Sequence, residues 1–113
     1  MIDARKRDVD GVTVLDISGT LDMDGFNLLK EKLQEVRQSG SVKIVLNLER
    51  LHSVQSTVLD GMLTPIRALT MMKGKIALTT MNESVHRVMK TSRFYEHVIV
   101  ADSVEEAVAD LNV

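Results

Sequence analysis

One segment constrains the fold of this chain more than any other: the run from Val42 to Leu48, which reads VKIVLNL. Side chains alternate between the two faces of a strand, and here apolar residues fall on both faces. Strands that are apolar on both faces lie inside parallel sheets, where helices cover each face. We therefore predict that this segment is an inner strand of an α/β sheet.

The first nineteen residues have the pattern of an antiparallel hairpin. The segment from Ile2 to Asp8 is polar and includes Arg5-Lys6-Arg7. Such a segment suits an exposed edge strand, because charges there oppose pairing with other sheets. Asp10-Gly11 follows, and glycine accepts the positive φ that a tight turn needs. A β-rich segment from Val12 to Gly19 then completes the predicted hairpin.

Four further segments carry apolar residues at helical spacing. They begin near Asp24, Thr57, Ser84 and Ser103. Asp24 suits the N-cap of the first helix and Gly40 its end. Ser103 and Glu106 form a capping box at the last helix, and Thr57 with Asp60 forms another at the second. Pro65 lies inside that second helix, so we expect either a kink there or a restart with Thr64 as the cap.

Short strands at residues 75–80 and 98–100 complete the order β-β-α-β-α-β-α-β-α. Each strand–helix–strand step favours a right-handed crossover and parallel pairing. We therefore predict an α/β fold whose mixed sheet combines an antiparallel N-terminal hairpin with parallel strands, covered by about four α-helices. The 113 residues contain no repeat or linker, which predicts a single domain over residues 1–113.

Composition excludes several classes of function. The chain has no cysteine, which rules out disulfides and thiolate chemistry. Fourteen basic and sixteen acidic residues give a net charge of −2, and the aromatic residues are one Tyr and two Phe. A protein that binds nucleic acid needs a basic surface or aromatic side chains for stacking, so we predict no nucleic-acid partner. Without a signal peptide or an apolar run of about 20 residues, we expect a cytoplasmic protein with no membrane partner.

The residues that could carry catalysis lack the spacing that catalysis needs. His52, His86 and His97 show no metal-ligand spacing. Ser56 could be imagined with His52 and Asp60 as a triad, but no G-x-S-x-G elbow surrounds it. No glycine-rich phosphate loop is present either. We therefore predict that the protein is not an enzyme and has no catalytic residue, metal site or cofactor.

Several segments together resemble the STAS domain family of anti-sigma factor antagonists. The segment from Asp10 to Asp22 is similar to the opening hairpin of that family, and the segment from Lys43 to Leu48 resembles its central strand. The segment from Asp102 to Ala107 resembles the start of its last helix. These segments follow the family order and span nearly the whole chain. The resemblance implies a regulatory protein that binds an anti-sigma factor which is also a serine kinase.

In that family the central strand leads to a loop reading I-D-S-S/T-G-L-G, whose first serine or threonine after the aspartate is phosphorylated by the partner kinase. Residues 54–60 of this chain, VQSTVLD, align with the loop. The resemblance therefore implies that Ser56 is the phosphorylation site. Three positions depart from the motif, since Gln55 replaces the aspartate and Val58 and Asp60 replace the two glycines.

The resemblance also implies where a partner binds. The expected surface lies at the carboxyl ends of neighbouring strands and the adjacent helix starts, and it consists of Asp22, Asp24, Gln55, Ser56, Thr57, Val58 and Asp60. The unphosphorylated protein would bind the kinase there and free a sigma factor, and phosphorylation would weaken the contact. The alternative is a divergent, non-phosphorylated scaffold or accessory subunit of a larger complex, favoured by the departures from the motif. The oligomeric state that we expect is a monomer or weak homodimer.

Overall fold

The computed structural model describes residues 2–40, 42–91, 95–96 and 98–113, so the prediction made for His97 lies outside the described residues. Within those ranges the chain forms five strands and four helices. They are β1 (Ile2–Val9), β2 (Val12–Leu21), α1 (Met23–Gln38), β3 (Lys43–Val54), α2 (Ser56–Met71), β4 (Lys75–Leu78), α3 (Glu83–Thr91), β5 (Ile99–Val100) and α4 (Val104–Leu111).

The five strands form one mixed sheet in the order β1-β2-β3-β4-β5. β1 and β2 pair antiparallel, and every later pair is parallel. This arrangement confirms the predicted fold, with β3 at the centre and β1 at an edge. The predicted inner strand is correct in place but too short at its carboxyl end, because β3 continues beyond Leu48 to Val54.

Two apolar cores lie on opposite faces of the sheet. On one face α1, α2 and α3 pack over strand residues that include Ile44 and Leu46. On the other face α4 packs over residues that include Val45 and Ala77. Successive residues of β3 therefore enter different cores, which is why its sequence is apolar on both faces. Over the ranges that the structure describes, every helix is too short or too polar to cross a bilayer.

The predicted hairpin turn is confirmed at Asp10-Gly11. The φ angles of these residues are +50° and +80°. Two consecutive positive φ values suit the right-handed twist of a two-residue hairpin, and aspartate tolerates this region better than most residues. Val9 and Val12 pair directly across the turn, so the sequence signal correctly placed the end of β1 and the start of β2.

The N-cap of α1 is Asp22, and the prediction that Asp24 caps this helix is wrong. One carboxylate oxygen of Asp22 accepts a hydrogen bond from the backbone N–H of Gly25 at 2.8 Å. Asp24 instead lies exposed in the first helical turn. The helix begins earlier than expected because β2 runs directly to Leu21, leaving Asp22 as the residue where the chain turns.

α2 departs from two predictions. Its N-cap is Gln55, which makes no side-chain capping bond, and Thr57 already lies inside the helix. The Thr57–Asp60 capping box is therefore wrong. The helix also continues from Ser56 to Met71 with Pro65 inside it, so a restart at Thr64 is wrong as well. Pro65 has no N–H to offer the carbonyl of Gly61, which leaves a local gap in the helical ladder.

The last helix begins as predicted. The hydroxyl oxygen of Ser103 accepts from the backbone N–H of Glu106 at 3.1 Å, which is the N-cap bond. The returning bond of this box is shifted by one residue, because the Glu106 carboxylate accepts from the N–H of Asp102 at 3.3 Å. α4 then packs its apolar residues on the face of the sheet opposite to α1 and α2.

Candidate functional site

The carboxyl ends of β2 and β3 lie side by side at one edge of the sheet. In the parallel register Leu21 pairs with Val54, the last residue of each strand. Beyond this pair the backbone N–H of Gln55 donates to the carbonyl oxygen of Leu21 at 3.0 Å. The hydroxyl groups of Ser53 and Thr20 form a further hydrogen bond of 3.1 Å. The loops that lead into α1 and α2 are thus joined, and we name this region the carboxyl edge.

β-bulges bring the end of β3 to this position. The register between β2 and β3 shifts between Asp16 and Ser18 and again between Gly19 and Thr20. At each shift β3 contributes one residue more than β2, so the longer strand still ends beside Leu21. Bulges of this kind redirect side chains and occur often next to functional sites. They allow Ser53, Val54 and the start of α2 to meet the loop after β2.

Ser56 is the first residue of α2 and lies exposed at the carboxyl edge. Gln55, the residue before it, is also exposed and leaves the first backbone N–H groups of the helix without a side-chain cap. The first turn of α2 contains no acidic residue. The N–H of Val58 bonds to the carbonyl oxygen of Gln55 at 3.0 Å, so the start of α2 presents the N–H groups of Ser56 and Thr57 without a side-chain cap, together with the positive end of the helix dipole.

Two more of the predicted surface residues are exposed on α2. Thr57 and Asp60 share the outward face of the helix with Ser56. Asp60 lies in the second turn, about one turn beyond Ser56, and does not compete for the first N–H groups. Gln55, directly before the helix, is exposed as well, so four polar side chains at the helix start are open to solvent.

Val58 differs from the other predicted surface residues because its side chain is buried. It is 2% exposed and belongs to the core under α1, α2 and α3. The helical period places Val58 with Leu59 and Met62 on the inward face, since residues three and four apart lie on one side of a helix. Alignment to a loop motif had suggested an outward position. We therefore leave Val58 out of the surface that a partner can touch.

The loop after β2 contributes the remaining predicted residues. Asp22 is half-buried, and its carboxylate is engaged in capping α1. Asp24 is exposed two residues further along, in the first turn of α1. Met23 lies between them and is 56% exposed. Met23 and Asp24, the first two residues of α1, have the side chains most available to a partner in this region.

Asn82, which was not predicted from the sequence, joins a third loop to the carboxyl edge. The side-chain amide of Asn82 donates to the carbonyl oxygens of Leu51 and His52 at 3.0 Å each. Its oxygen accepts from the N–H of Val85 at 2.8 Å, as an N-cap residue does. The start of α3 is therefore fastened to the end of β3. An asparagine directly before a helical pattern was the signal that could have revealed this link.

A separate polar cluster lies on the face of the sheet that α4 covers only in part. Arg7 donates to both carboxylate oxygens of Asp16, at 2.8 and 3.3 Å, and Asn47 donates to one of them at 2.7 Å. Burial alone would raise the pKa of Asp16. The hydrogen bonds from Arg7 and Asn47, with the charges of Arg7 and Arg50, outweigh burial and hold that pKa below its ordinary value.

No metal-ligating arrangement forms in the part of the chain that the structure describes, since no three His, Cys, Asp or Glu side chains gather there. His52 is exposed in the last part of β3. His86 is exposed on α3, and its Nδ1 lies 2.7 Å from the hydroxyl of Tyr95. The expected absence of catalysis and of a metal stays a prediction.

Comparison with known proteins gives a consistent result. A family model described as the STAS domain matches residues 3–107. An anti-sigma F factor antagonist from Paenibacillus polymyxa is 26% identical over 104 residues, which cover 91% of this chain and 89% of that protein.

Solved structures agree with these matches. A candidate anti-sigma factor antagonist from Thermotoga maritima is 25% identical with a TM-score of 0.87, covering 97% of this chain and 95% of that one. The anti-sigma factor antagonist SpoIIAA in its unphosphorylated form is 21% identical with a TM-score of 0.81, covering 97% and 96% of the two chains. At that identity the likeness shows the fold alone.

Proposed function

The chain belongs to the STAS domain family, and from that premise we propose that it is an anti-sigma factor antagonist which binds an anti-sigma factor with serine kinase activity. The observation that carries the proposal is the position of Ser56. It is exposed, it begins α2, and it aligns with the residue that is phosphorylated in this family. Phosphorylation of Ser56 would then switch partner binding.

The proposed binding surface is the carboxyl edge. It comprises Asp22, Asp24, Gln55, Ser56, Thr57 and Asp60. Met23 adds an exposed apolar side chain to this polar group, and a mixture of an apolar centre with a polar surround is typical of protein interfaces. Val58 supports the surface from within, because its packing in the core determines which face α2 turns outward.

A phosphate on Ser56 would act differently inside the protein and toward a partner. It carries a charge of about −1.5 to −2 at neutral pH. The uncapped N–H groups at the start of α2 would accommodate that charge, as helix N-termini accommodate anions. Asp60, one turn away, would oppose it by about 1 kcal/mol at an exposed position. In a closely packed interface, the bulk and desolvation of the phosphate would weaken binding.

The test is phosphorylation by an anti-sigma kinase encoded in the same genome. The purified protein is incubated with kinase and ATP, and the products are analysed by intact mass and by peptide mapping. We expect one phosphate, located on Ser56, which Ser56→Ala abolishes and Thr57→Val retains. Phosphate on Thr57 would move the family alignment by one residue and contradict the assignment.

A second candidate is a non-phosphorylated scaffold or accessory subunit of a larger complex. Gln55 in place of the family's aspartate favours it, because the acceptor hydroxyl then has no carboxylate beside it. This function predicts no phosphate on the chain together with tight binding of a partner by the same carboxyl edge. The phosphorylation test therefore separates the two candidates, because they predict opposite mass results for one protein.

We propose that the protein acts in the cytoplasm through protein binding, as one domain over residues 1–113, without catalysis of its own and without nucleic acid. In free solution we propose a monomer or weak homodimer. Analytical ultracentrifugation tests the oligomeric state, and a concentration-independent dimer would contradict it.

A further inference from the structure

A groove runs between α1 and α2 on the helical side of the sheet. Its volume is about 440 Å³, which is within the range of about 300–1,000 Å³ found for small-molecule sites. Leu33 from α1 and Leu69 from α2 form its apolar walls, and Ile44 and Ile76 of the sheet form its floor. The two floor residues are 1% and 4% exposed, so the base of the groove is almost closed to solvent. We name this feature the α1–α2 groove.

Small residues on α2 keep the groove open. Gly61, Pro65 and Ala68 face α1, and none of them has a long side chain to fill the space. At Gly61 the helices meet closely, because a Cβ atom there would lie 3.0 Å from the Cζ atom of Phe26. The Phe26 ring therefore closes one end. The rest of the groove remains a narrow apolar slot between helices that are held together at their start.

The mouth of the groove carries positive charge. Lys30 and Arg37 both line it, and they are seven residues apart, so they lie on one side of α1 about two turns from each other. Among the described residues that line the groove there is no Asp or Glu. Within the described residues the ion pair on α1 joins Lys32 and Glu35, at 3.9 Å, and leaves Lys30 and Arg37 without a carboxylate within 4.0 Å. An apolar slot with two cations at its mouth fits an anionic amphipathic ligand.

We propose that the α1–α2 groove binds a fatty-acid-like molecule, with its aliphatic chain between the helices and its carboxylate at Lys30 and Arg37. Ligand sites of this size combine apolar walls with a few polar groups that orient the ligand. The groove volume of about 440 Å³ lies in the range of small-molecule sites, and we therefore commit to a small amphipathic ligand rather than a partner helix. This proposal does not depend on the function of Ser56.

The test uses dodecanoate below its micellar concentration, titrated into the full-length ¹⁵N-labelled protein. We expect amide shifts to concentrate at α1 and α2 residues of the groove, including Ala68 and Leu69, and to leave α4 unchanged. The double variant Lys30→Gln with Arg37→Gln should bind dodecanoate about tenfold more weakly, as expected when charge-assisted contacts are lost. It should bind uncharged dodecanol as the unaltered protein does.

Two further variants control the experiment. Lys32→Gln removes a cation from α1 outside the groove and should leave dodecanoate affinity unchanged. Ala68→Phe fills the slot and should weaken dodecanoate and dodecanol alike; thermal unfolding shows whether that variant is folded. Equal affinity of the double variant and the unaltered protein would overturn the proposal. So would shifts confined to other surfaces, or binding of an acidic amphipathic peptide at the groove in the absence of any dodecanoate binding.

Discussion

The backbone N–H of Gln55 donates to the carbonyl oxygen of Leu21 at 3.0 Å, and this bond joins the loops that follow β2 and β3. α1 starts just after one of these loops and α2 just after the other. The exposed residues at the two helix starts are therefore held at a fixed separation. A rigid arrangement of this kind favours tight partner binding, because little conformational entropy is lost on association.

Asp22→Ala should destabilise the protein by about 1 kcal/mol, since it removes the side chain that caps α1. Asp24→Ala is the matched control, because Asp24 is exposed and contributes only through the helix dipole, by about 0.3–0.5 kcal/mol. Urea denaturation at neutral pH measures both. If Asp24→Ala lowered the free energy of unfolding as much as Asp22→Ala does, the assignment of the N-cap to Asp22 would be contradicted.

Val58→Asp should destabilise the fold by roughly 3 kcal/mol or more, because it places an unpaired carboxylate in the core. Thr57→Asp adds the same charge one residue earlier at an exposed position near the start of α2. That control should retain or slightly raise stability through the helix dipole. Thermal unfolding followed by circular dichroism distinguishes the two variants. Equal stability of both would mean that Val58 faces solvent.

Lys73→Gly should stabilise the protein by about 1 kcal/mol. The N–H groups of Lys73 and Gly74 bond back to the carbonyls of Thr70 and Leu69, at 2.9 Å each, which is the Schellman ending of a helix. Lys73 occupies the left-handed position of this ending, with a φ of +63°. This conformation is energetically unfavourable for any residue other than glycine. The control variant Lys75→Gly, in β4, should instead destabilise the protein. A loss of stability in Lys73→Gly, measured by urea denaturation, would contradict this backbone conformation.

Asp16→Asn should change how stability depends on pH. The pKa of Asp16 is lower in the folded protein than in the unfolded chain, where an aspartate has a pKa of about 3.9. The stabilisation from its charge is therefore complete above that value and disappears as the pH falls through the folded pKa. At pH 7 the free energy of unfolding of the unaltered protein should exceed that of Asp16→Asn by roughly 0.2–1 kcal/mol. Urea denaturation at pH 7 and at pH 3 should show this difference shrinking, and a constant difference would contradict the assignment.

The fold was predictable because its main signals are local. The two-faced apolar run around Ile44 predicts a covered inner strand, and Asp10-Gly11 predicts the hairpin. The end of β3 was not predictable in this way, since Glu49 and Arg50 are exposed and the bulges there leave no apolar pattern. The choice between Asp22 and Asp24 as the N-cap of α1 likewise depended on where a strand ends, in this case β2.

The candidate site was predictable in outline and not in detail. The apolar spacing indicated a helix from about Thr57, one residue after the observed start of α2 at Ser56, whereas the family alignment placed a loop over residues 54–60. The same alignment treated Val58 as part of an open loop, although its helical spacing from Leu59 and Met62 already indicated the core. The α1–α2 groove could not be foreseen, because its width depends on the contact between Phe26 and Gly61, which are far apart in sequence.

The most direct test of the account is the affinity of the anti-sigma kinase for three proteins, measured by isothermal titration calorimetry. They are the unaltered protein, Ser56→Glu, and Thr70→Glu, which adds the same charge to an exposed hydroxyl residue at the far end of α2. We predict that Ser56→Glu binds at least about tenfold more weakly, a loss of about 1.4 kcal/mol, and that Thr70→Glu binds like the unaltered protein. Unchanged affinity of Ser56→Glu would contradict the account, since a charge at Ser56 would then have no effect on the partner.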